Sequence, residues 1–172
     1  IEVLGVLTQP DRPAGRKKQL KPPPVKVEAL EHNLEIIQPE SLKEPQVLEW
    51  LQEKNPDVIA VVAYGGFVGK KIRELPKYGC INLHPSLLPK YRGAAPIHWA
   101  IMNDEKVTGN TTIYLDKGWD SGDIIYQEEE PIHDDDTYGT LSQRLAQKGA
   151  DLMVKTIIDV EKGTAPRIPQ ND

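Results

Sequence analysis

The chain of 172 residues has 26 acidic and 21 basic side chains, a net charge of −5, and 38% hydrophobic residues. This length suits one domain with a substantial core, and the absence of any apolar run of about 18 residues argues against a membrane-spanning helix. No leader-like pattern opens the chain, and its one cysteine, Cys80, cannot form an intrachain disulfide. We therefore expect a cytoplasmic protein, most simply a monomer.

Short apolar runs alternate with helical patterns through the first half of the chain. Strands are predicted over residues 2–8, 34–38 and 58–63, and the continuous apolarity of the last predicts burial on both faces of a parallel sheet. Helices are predicted over residues 25–33, 44–55 and 68–75. This alternation predicts an α/β, doubly wound fold.

Residues 9–24 hold five prolines and one glycine, a composition that predicts an extended loop with little regular structure. Residues 11–26 carry a charge of +5, while the rest of the chain carries −10. A cationic loop on an acidic protein favours a polyanionic partner such as a nucleic acid. A solvated loop without a partner is the alternative.

A strand predicted over residues 80–84 ends at Pro85 and places Asn82 and His84 on one face. Ligands of open α/β sheets bind at the carboxyl ends of strands, so this pair marks a candidate site.

The second half of the chain changes character. A helix is predicted over residues 95–103, and strands over 108–115 and 124–132 are close enough to pair antiparallel. A final helix, capped by Asp136 or Thr137, is predicted to run to about residue 161.

Several kinds of chemistry are not indicated. The chain has no dinucleotide or phosphate-loop motif and no G-x-S-x-G elbow. Its four histidines lack metal-ligand spacing, so no metal is expected.

If the glycine-flanked turn at Asp120 folds over the sheet edge, its carboxylate meets His84 and favours a cationic imidazole. With Asn82 as an amide donor, such a group suits acyl transfer to an amine. A strand-end cap, a core histidine and a turn former remain the alternative interpretations.

These motifs resemble a known family. Residues 82–93 (NLHPSLLPKYRG) resemble the hallmark segment of the folate-dependent formyltransferases, and residues 118–123 (GWDSGD) resemble their second motif. Residues 8–16 (TQPDRPAGR) are similar to a loop of the methionyl-tRNA formyltransferase branch. The resemblance extends from about residue 1 to 170.

The resemblance implies a Rossmann-like catalytic domain over residues 1–162, with a mostly parallel sheet and an antiparallel C-terminal portion. Residues 163–172 would begin a linker to a C-terminal β-barrel domain, and a first βα unit would precede the chain. The implied reaction moves a formyl group from 10-formyltetrahydrofolate, the co-substrate, to the amine of initiator methionyl-tRNA. It uses no metal.

The resemblance also implies a role for individual residues of these motifs. Asn82 would polarise the formyl oxygen, His84 would stabilise the oxyanion and handle protons, and Asp120 would orient and charge His84. The folate would meet Ser86, Leu87, Leu88, Pro89, Asp116 and Gly118. The tRNA acceptor arm would meet Arg12, Arg16, Lys17, Lys18 and Lys21. Trp119 stands where relatives commonly carry a smaller aliphatic residue, and it would line or narrow the folate pocket.

Other functions remain open on sequence grounds. One is another formyltransferase, or a hydrolase releasing formate, that uses the same folate. The other is a noncatalytic RNA-binding module on the same fold, against which the intact Asn82, His84 and Asp120 argue.

Overall fold

The computed structural model describes residues 1–16 and 18–171. The chain divides into two compact units, one of residues 1–56 and 66–75, the other of residues 57–65 and the chain from residue 76 onward. Within the described residues, no helix combines the length and the apolarity needed to cross a membrane.

Short strands and helices build the first unit. Its strands are β1 (Val6–Leu7), β2 (Arg12–Ala14), β3 (Gln19–Lys21) and β4 (Ile36–Ile37). Its helices are α1 (Pro24–Glu31), α2 (Pro45–Lys54) and α3 (Lys70–Arg73). The predicted helices are confirmed in place, although α3 is shorter than predicted.

The first strand is shorter than the predicted residues 2–8. Only Val6 and Leu7 have parallel ladder partners, on β4, and the preceding Val3 and Leu4 are exposed. The prediction of a seven-residue buried strand is therefore wrong in extent, because an apolar run forms a strand only where a partner supplies hydrogen bonds.

The proline-rich segment is not the irregular loop that was predicted. Strands β2 and β3 pair antiparallel, with Arg12 opposite Lys21 and Ala14 opposite Gln19. Between them, the N–H of Lys18 donates to the carbonyl of Gly15 at 3.2 Å, and Gly15 has a φ of +72° that favours glycine. A two-stranded ribbon tolerates Pro13 because its strands have an unpaired edge where the missing N–H is not needed.

The second unit is a mixed sheet with helices. Its strands are β5 (Ile59–Val62), β6 (Cys80–His84), β7 (Val107–Tyr114) and β8 (Ile124–Pro131), and its helices are α4 (Pro96–Met102) and α5 (Tyr138–Lys162). The order is β5-β6-β7-β8, with β5 parallel to β6 and the other two pairs antiparallel. The α/β fold class and the antiparallel pair are confirmed.

Strand β5 differs from its prediction in burial. Ile59 and Val61 are partly buried, whereas the alternating Ala60 and Val62 are exposed. The expectation of burial on both faces is therefore wrong, since the described residues of this unit pack against only one face of the strand.

Helix α5 packs on one face of the sheet, so the candidate site lies on the other face. Ile81 and Leu83 of β6 form a core cluster with Leu152, Met153 and other residues of α5 and β8. Thr137 caps the helix through a reciprocal pair of hydrogen bonds with Thr140, so the predicted cap is confirmed. Because side chains alternate along β6, Asn82 and His84 project away from α5.

Candidate active site

Strand β6 delivers two polar side chains to one face of the sheet. It spans the predicted residues, pairs with β5 on one side and β7 on the other, and is anchored by buried Cys80 and Ile81. His84 is only 5% exposed, and Asn82 is half-buried. A strand bonded on both sides gives these two side chains a rigid base.

The turn between β7 and β8 brings in Asp120. The carboxylate of Asp116 accepts hydrogen bonds from the N–H of Gly118 at 2.8 Å and the hydroxyl of Ser121 at 3.0 Å. A Cβ on Gly122 would lie 1.7 Å from the carbonyl oxygen of Tyr114, so only glycine fits that close approach. Asp116 and Gly118, predicted to meet folate, therefore shape the turn.

The turn folds back over the sheet, which is the condition set in the sequence analysis for a contact between Asp120 and His84. Nδ1 of His84 lies 3.5 Å from Oδ2 of Asp120, and Nδ2 of Asn82 donates to Oδ1 of the same carboxylate at 3.4 Å. The side chains of His84 and Asp120 are 6% and 13% exposed, so the contact is largely shielded from water. Catalytic hydrogen bonds are often this long in structures that hold no substrate.

The loop after β6 completes the cluster through its backbone. Nε2 of His84 lies 2.8 Å from the carbonyl oxygen of Tyr91, and the N–H of Gly93 donates to Oδ2 of Asp120 at 2.8 Å. A carbonyl oxygen only accepts, so Nε2 carries a hydrogen. Nδ1, on the other side of the ring, then faces the carboxylate of Asp120.

Sequence reasoning missed Tyr91 and Gly93 as members of the site. Both act through backbone atoms, which residue type does not reveal. The available signal was Gly93 itself, whose φ of +84° lies in the region that favours glycine.

The loop predicted to contact folate is fixed on its buried side by a hydrogen bond and by apolar packing. The hydroxyl of Ser86 donates to the carbonyl of Lys90 at 2.6 Å, and Ser86 is fully buried. Leu88 packs with Ile113 and Ile124 of the sheet. Leu87 is half-buried and Pro89 is exposed, so the outward surface of this loop comes from these two residues.

Two further polar side chains form hydrogen bonds with the backbone of this loop on its buried side. Thr111 donates its hydroxyl to the carbonyl of Ser86 at 2.6 Å and accepts from the N–H of Leu88 at 3.2 Å. Nε2 of Gln127 donates to the carbonyl of Leu88 at 2.8 Å. Sequence reasoning missed both, because neither lies in a recognisable motif.

Beside the turn, the guanidinium of Arg167 lies over the ring of Tyr114. Burial raises the pKa of the Tyr114 hydroxyl, and the nearby guanidinium of Arg167 offsets part of that effect. Trp119, in the turn itself, is 61% exposed.

Among the described residues, no cluster of three or more histidine, cysteine, aspartate or glutamate side chains could hold a metal ion.

The basic residues predicted to meet RNA lie on the hairpin of the first unit. Those that the structure describes, Arg12, Arg16, Lys18 and Lys21, are all exposed. Lys17 lies outside the described residues. Lys26 differs from them, because its ammonium binds the carboxylate of Asp11 at 2.9 Å, and with the Gln38 amide it holds the pKa of that carboxyl below its usual value.

Known proteins resemble this chain along nearly its whole length. The family described as Formyl transferase matches residues 1–157. The methionyl-tRNA formyltransferase of Halothermothrix orenii is 52% identical over 172 residues, which are 100% of this chain and 54% of that protein. The chain thus spans about half the length of the curated relatives it matches.

Solved structures agree with this match. The phosphoribosylglycinamide formyltransferase from Bacillus halodurans is 30% identical, with a TM-score of 0.73 over 88% of this chain and 76% of that one. The formyltransferase PseJ from Anoxybacillus kamchatkensis, in complex with UDP-4,6-dideoxy-4-formamido-L-AltNAc and tetrahydrofolate, is 29% identical, with a TM-score of 0.68 over 96% of this chain and 80% of that one.

Proposed function

The chain belongs to the formyl transferase family, and from that premise we propose that it carries the chemical step of an enzyme that formylates methionyl initiator tRNA. The donor is 10-formyltetrahydrofolate, and the acceptor is the α-amine of the methionyl group. The observation that carries the proposal is the meeting of Asn82, His84 and Asp120 at one shielded point of the sheet. Sequence identity of 52% to a methionyl-tRNA formyltransferase supports the choice of acceptor.

The three side chains divide the chemistry among them. The amine attacks the formyl carbon, the C–N bond to N10 of the folate breaks, and the proton lost by the amine passes to N10. The amide of Asn82 donates to the formyl oxygen as negative charge develops on it. The imidazolium of His84 stabilises that charge and relays the proton, while Asp120 holds the ring in place and favours its cationic form.

The folate is proposed to lie along the loop that follows β6 and the turn that carries Asp120. PseJ, a relative by fold and sequence, is solved with tetrahydrofolate. In this chain Leu87 and Pro89 offer apolar surface, whereas the buried Ser86 and Leu88 shape the loop rather than touch the ligand through their side chains. Backbone groups around Asp116 and Gly118 would meet the pterin end. Trp119 would line that pocket.

The tRNA is proposed to bind the exposed cations of the β2–β3 hairpin and Lys17. Arginine and lysine side chains contact phosphates without reading sequence, so they would position the acceptor arm rather than identify the initiator. The proposed compartment is the cytoplasm, where translation starts, and the proposed state is a monomer.

One assay tests the proposal. The intact natural protein is incubated with 10-formyltetrahydrofolate and methionyl initiator tRNA, and formyl-methionine and free formate are both quantified. Formylated tRNA supports the proposal. Formate without formylated tRNA would indicate a hydrolase, and tRNA binding without consumption of folate would indicate an RNA-binding module; either result would overturn it.

A further inference from the structure

The segment that follows α5 returns to the turn of Asp120. Ile168 pairs antiparallel with Ile124 at the start of β8, with N–H to carbonyl distances of 2.8 and 2.9 Å. Arg167 binds the carboxylate of Asp123 at 2.8 Å, and its guanidinium lies 4.1 Å from the centre of the Tyr114 ring. These contacts bring Gln170 to the turn.

The amide of Gln170 joins the two loops that form the candidate active site. Its Nε2 donates to the carbonyl oxygens of Asp120 and Gly122, both at 2.8 Å. Its Oε1 accepts from Nε of Arg92 at 3.0 Å. Two carbonyls can only accept, so the NH2 end of the amide must face the turn, and both of its hydrogens are used.

The same two loops hold His84 and Asp120 together. The loop that contains Arg92 also contains Tyr91, whose carbonyl contacts His84, and Gly93, whose N–H binds the Asp120 carboxylate. The turn on the other side supplies that carboxylate from a residue with a φ of +50°, a left-handed conformation that must be held by its surroundings.

We propose that Gln170 is a positioning residue for formyl transfer, acting through Asp120. It fixes the carbonyl of Asp120 and, through Arg92, the loop that binds the Asp120 carboxylate. Gln170 thus restrains the peptide of Asp120 directly, and the carboxylate of Asp120 through Arg92 and its loop. Loss of the Gln170 side chain therefore frees Asp120 to move away from His84. This inference rests on the proposed function.

Two substitutions test the contact. Gln170→Ala removes the whole amide, and Gln170→Glu keeps its shape while replacing the two donors by an acceptor that repels the carbonyls. Both should lower kcat about 10- to 100-fold, because small misplacements of a catalytic group are costly, with little change in the KM for folate. Thr164→Ala, on the same segment, removes a hydroxyl that donates to the carbonyl of Asp159 at 3.3 Å; it is the matched control and should retain kcat within about twofold.

A second readout separates positioning from folding. In intact protein labelled with 15N-histidine, the ring nitrogen signals of His84 should change in both Gln170 variants and stay at their wild-type positions in Thr164→Ala.

The outcomes separate the two proposals. If the natural protein does not formylate tRNA, the function proposed above fails, and the His84 ring signals alone decide whether Gln170 positions the pair. If the natural protein is active, and the Gln170 variants keep its kcat and its His84 signals, the positioning role is overturned and the function stands. A lower melting temperature alone, with those two readouts unchanged, overturns the positioning role equally.

Discussion

The backbone N–H of Gly93 donates a 2.8 Å hydrogen bond to Oδ2 of Asp120. That oxygen is also the one that lies 3.5 Å from Nδ1 of His84. A backbone donor thus fixes the orientation of the carboxylate, and the carboxylate fixes the ring. The orientation that the proposed mechanism requires of this pair is therefore set by the fold.

Replacing the carboxylate by an amide should separate charge from shape. We expect Asp120→Asn to lower formyl transfer on the order of 100-fold or more, because a neutral amide replaces the charged carboxylate that faces Nδ1 of His84. The melting temperature should change little. Asp134→Asn, an exposed carboxylate outside this turn and 3.9 Å from Lys106, is the control and should keep normal transfer. Equal rates in the two variants would contradict the role of Asp120.

Glycine at position 122 should be irreplaceable, and glycine at position 139 should not be. A Cβ at 122 would lie 1.7 Å from a backbone oxygen, so Gly122→Ala should lower the free energy of unfolding by about 2 kcal/mol and displace the turn of Asp120. In α5, the nearest atom to a Cβ at 139 lies 3.6 Å away. Gly139→Ala should therefore raise the free energy of unfolding by about 0.5 kcal/mol. Chemical denaturation measures both, and a stable, active Gly122→Ala would refute the steric argument.

A buried ionic network should set the stability of the second unit at low pH. Arg144 binds Asp136 through two nitrogens, at 2.7 and 2.6 Å, and binds Glu130 at 2.8 Å, while Lys148 also contacts Glu130. The two carboxylate side chains are 3% and 5% exposed. The guanidinium holds the pKa of Asp136 well below its ordinary 3.8. Burial raises the pKa of Glu130, but the bonds from Lys148 and Arg144 outweigh it and bring that pKa below 4.5.

The sign of the pH effect follows from these directions. Because both pKa values are depressed on folding, the stabilisation is fully present above the ordinary values and is lost as the pH falls through the folded ones. Arg144→Met should lower the melting temperature by several degrees at pH 7, since Asp136 loses its cationic partner and Glu130 keeps only Lys148, and this effect should shrink as the pH falls below the ordinary carboxyl pKa values. Lys70→Met, which removes an exposed partner 3.9 Å from Glu74, should show no such pH dependence. Parallel pH curves for Arg144→Met and the natural protein would contradict the network.

The exposed cations of the hairpin should govern tRNA affinity and its dependence on salt. Changing Arg12, Arg16, Lys18 and Lys21 together to glutamine should weaken binding and reduce the slope of log affinity against log salt by as much as about 3. Transfer at saturating tRNA should persist. Lys26→Gln, whose ammonium is already paired with Asp11, should change the slope much less. Filter binding at several salt concentrations measures this, and an unchanged slope in the fourfold variant would show that these residues do not contact phosphate.

Local pattern was enough to predict the centre of the site. Strand β6 is short and apolar and ends at a proline, so its bounds and the shared face of Asn82 and His84 could be derived. The glycines around Asp120 correctly predicted a turn. The approach of Asp120 to His84 was conditional on how that turn folds, a condition that the structure meets.

The remainder depends on contacts that residue type does not encode. The β2–β3 hairpin was missed because prolines argue against strands, while cross-strand partners such as Arg12 and Lys21 lie apart in sequence. Exposure of Val62 was missed because an apolar run does not reveal how many faces of a strand are packed. Gly93 acts through its backbone N–H on the Asp120 carboxylate, and Gln170 acts on backbone carbonyls of the turn. Only the folded chain brings these groups together.

The most direct test of the account is formyl transfer by His84→Ala in the intact protein, followed in a single turnover with methionyl initiator tRNA and 10-formyltetrahydrofolate. His133→Ala, an exposed histidine outside the cluster, serves as the matched control. We predict that His84→Ala binds both substrates but transfers the formyl group at least about 100-fold more slowly, while His133→Ala matches the natural protein. Near-normal transfer by His84→Ala would contradict the account, because the shielded cluster of Asn82, His84 and Asp120 would then not be where the chemistry occurs.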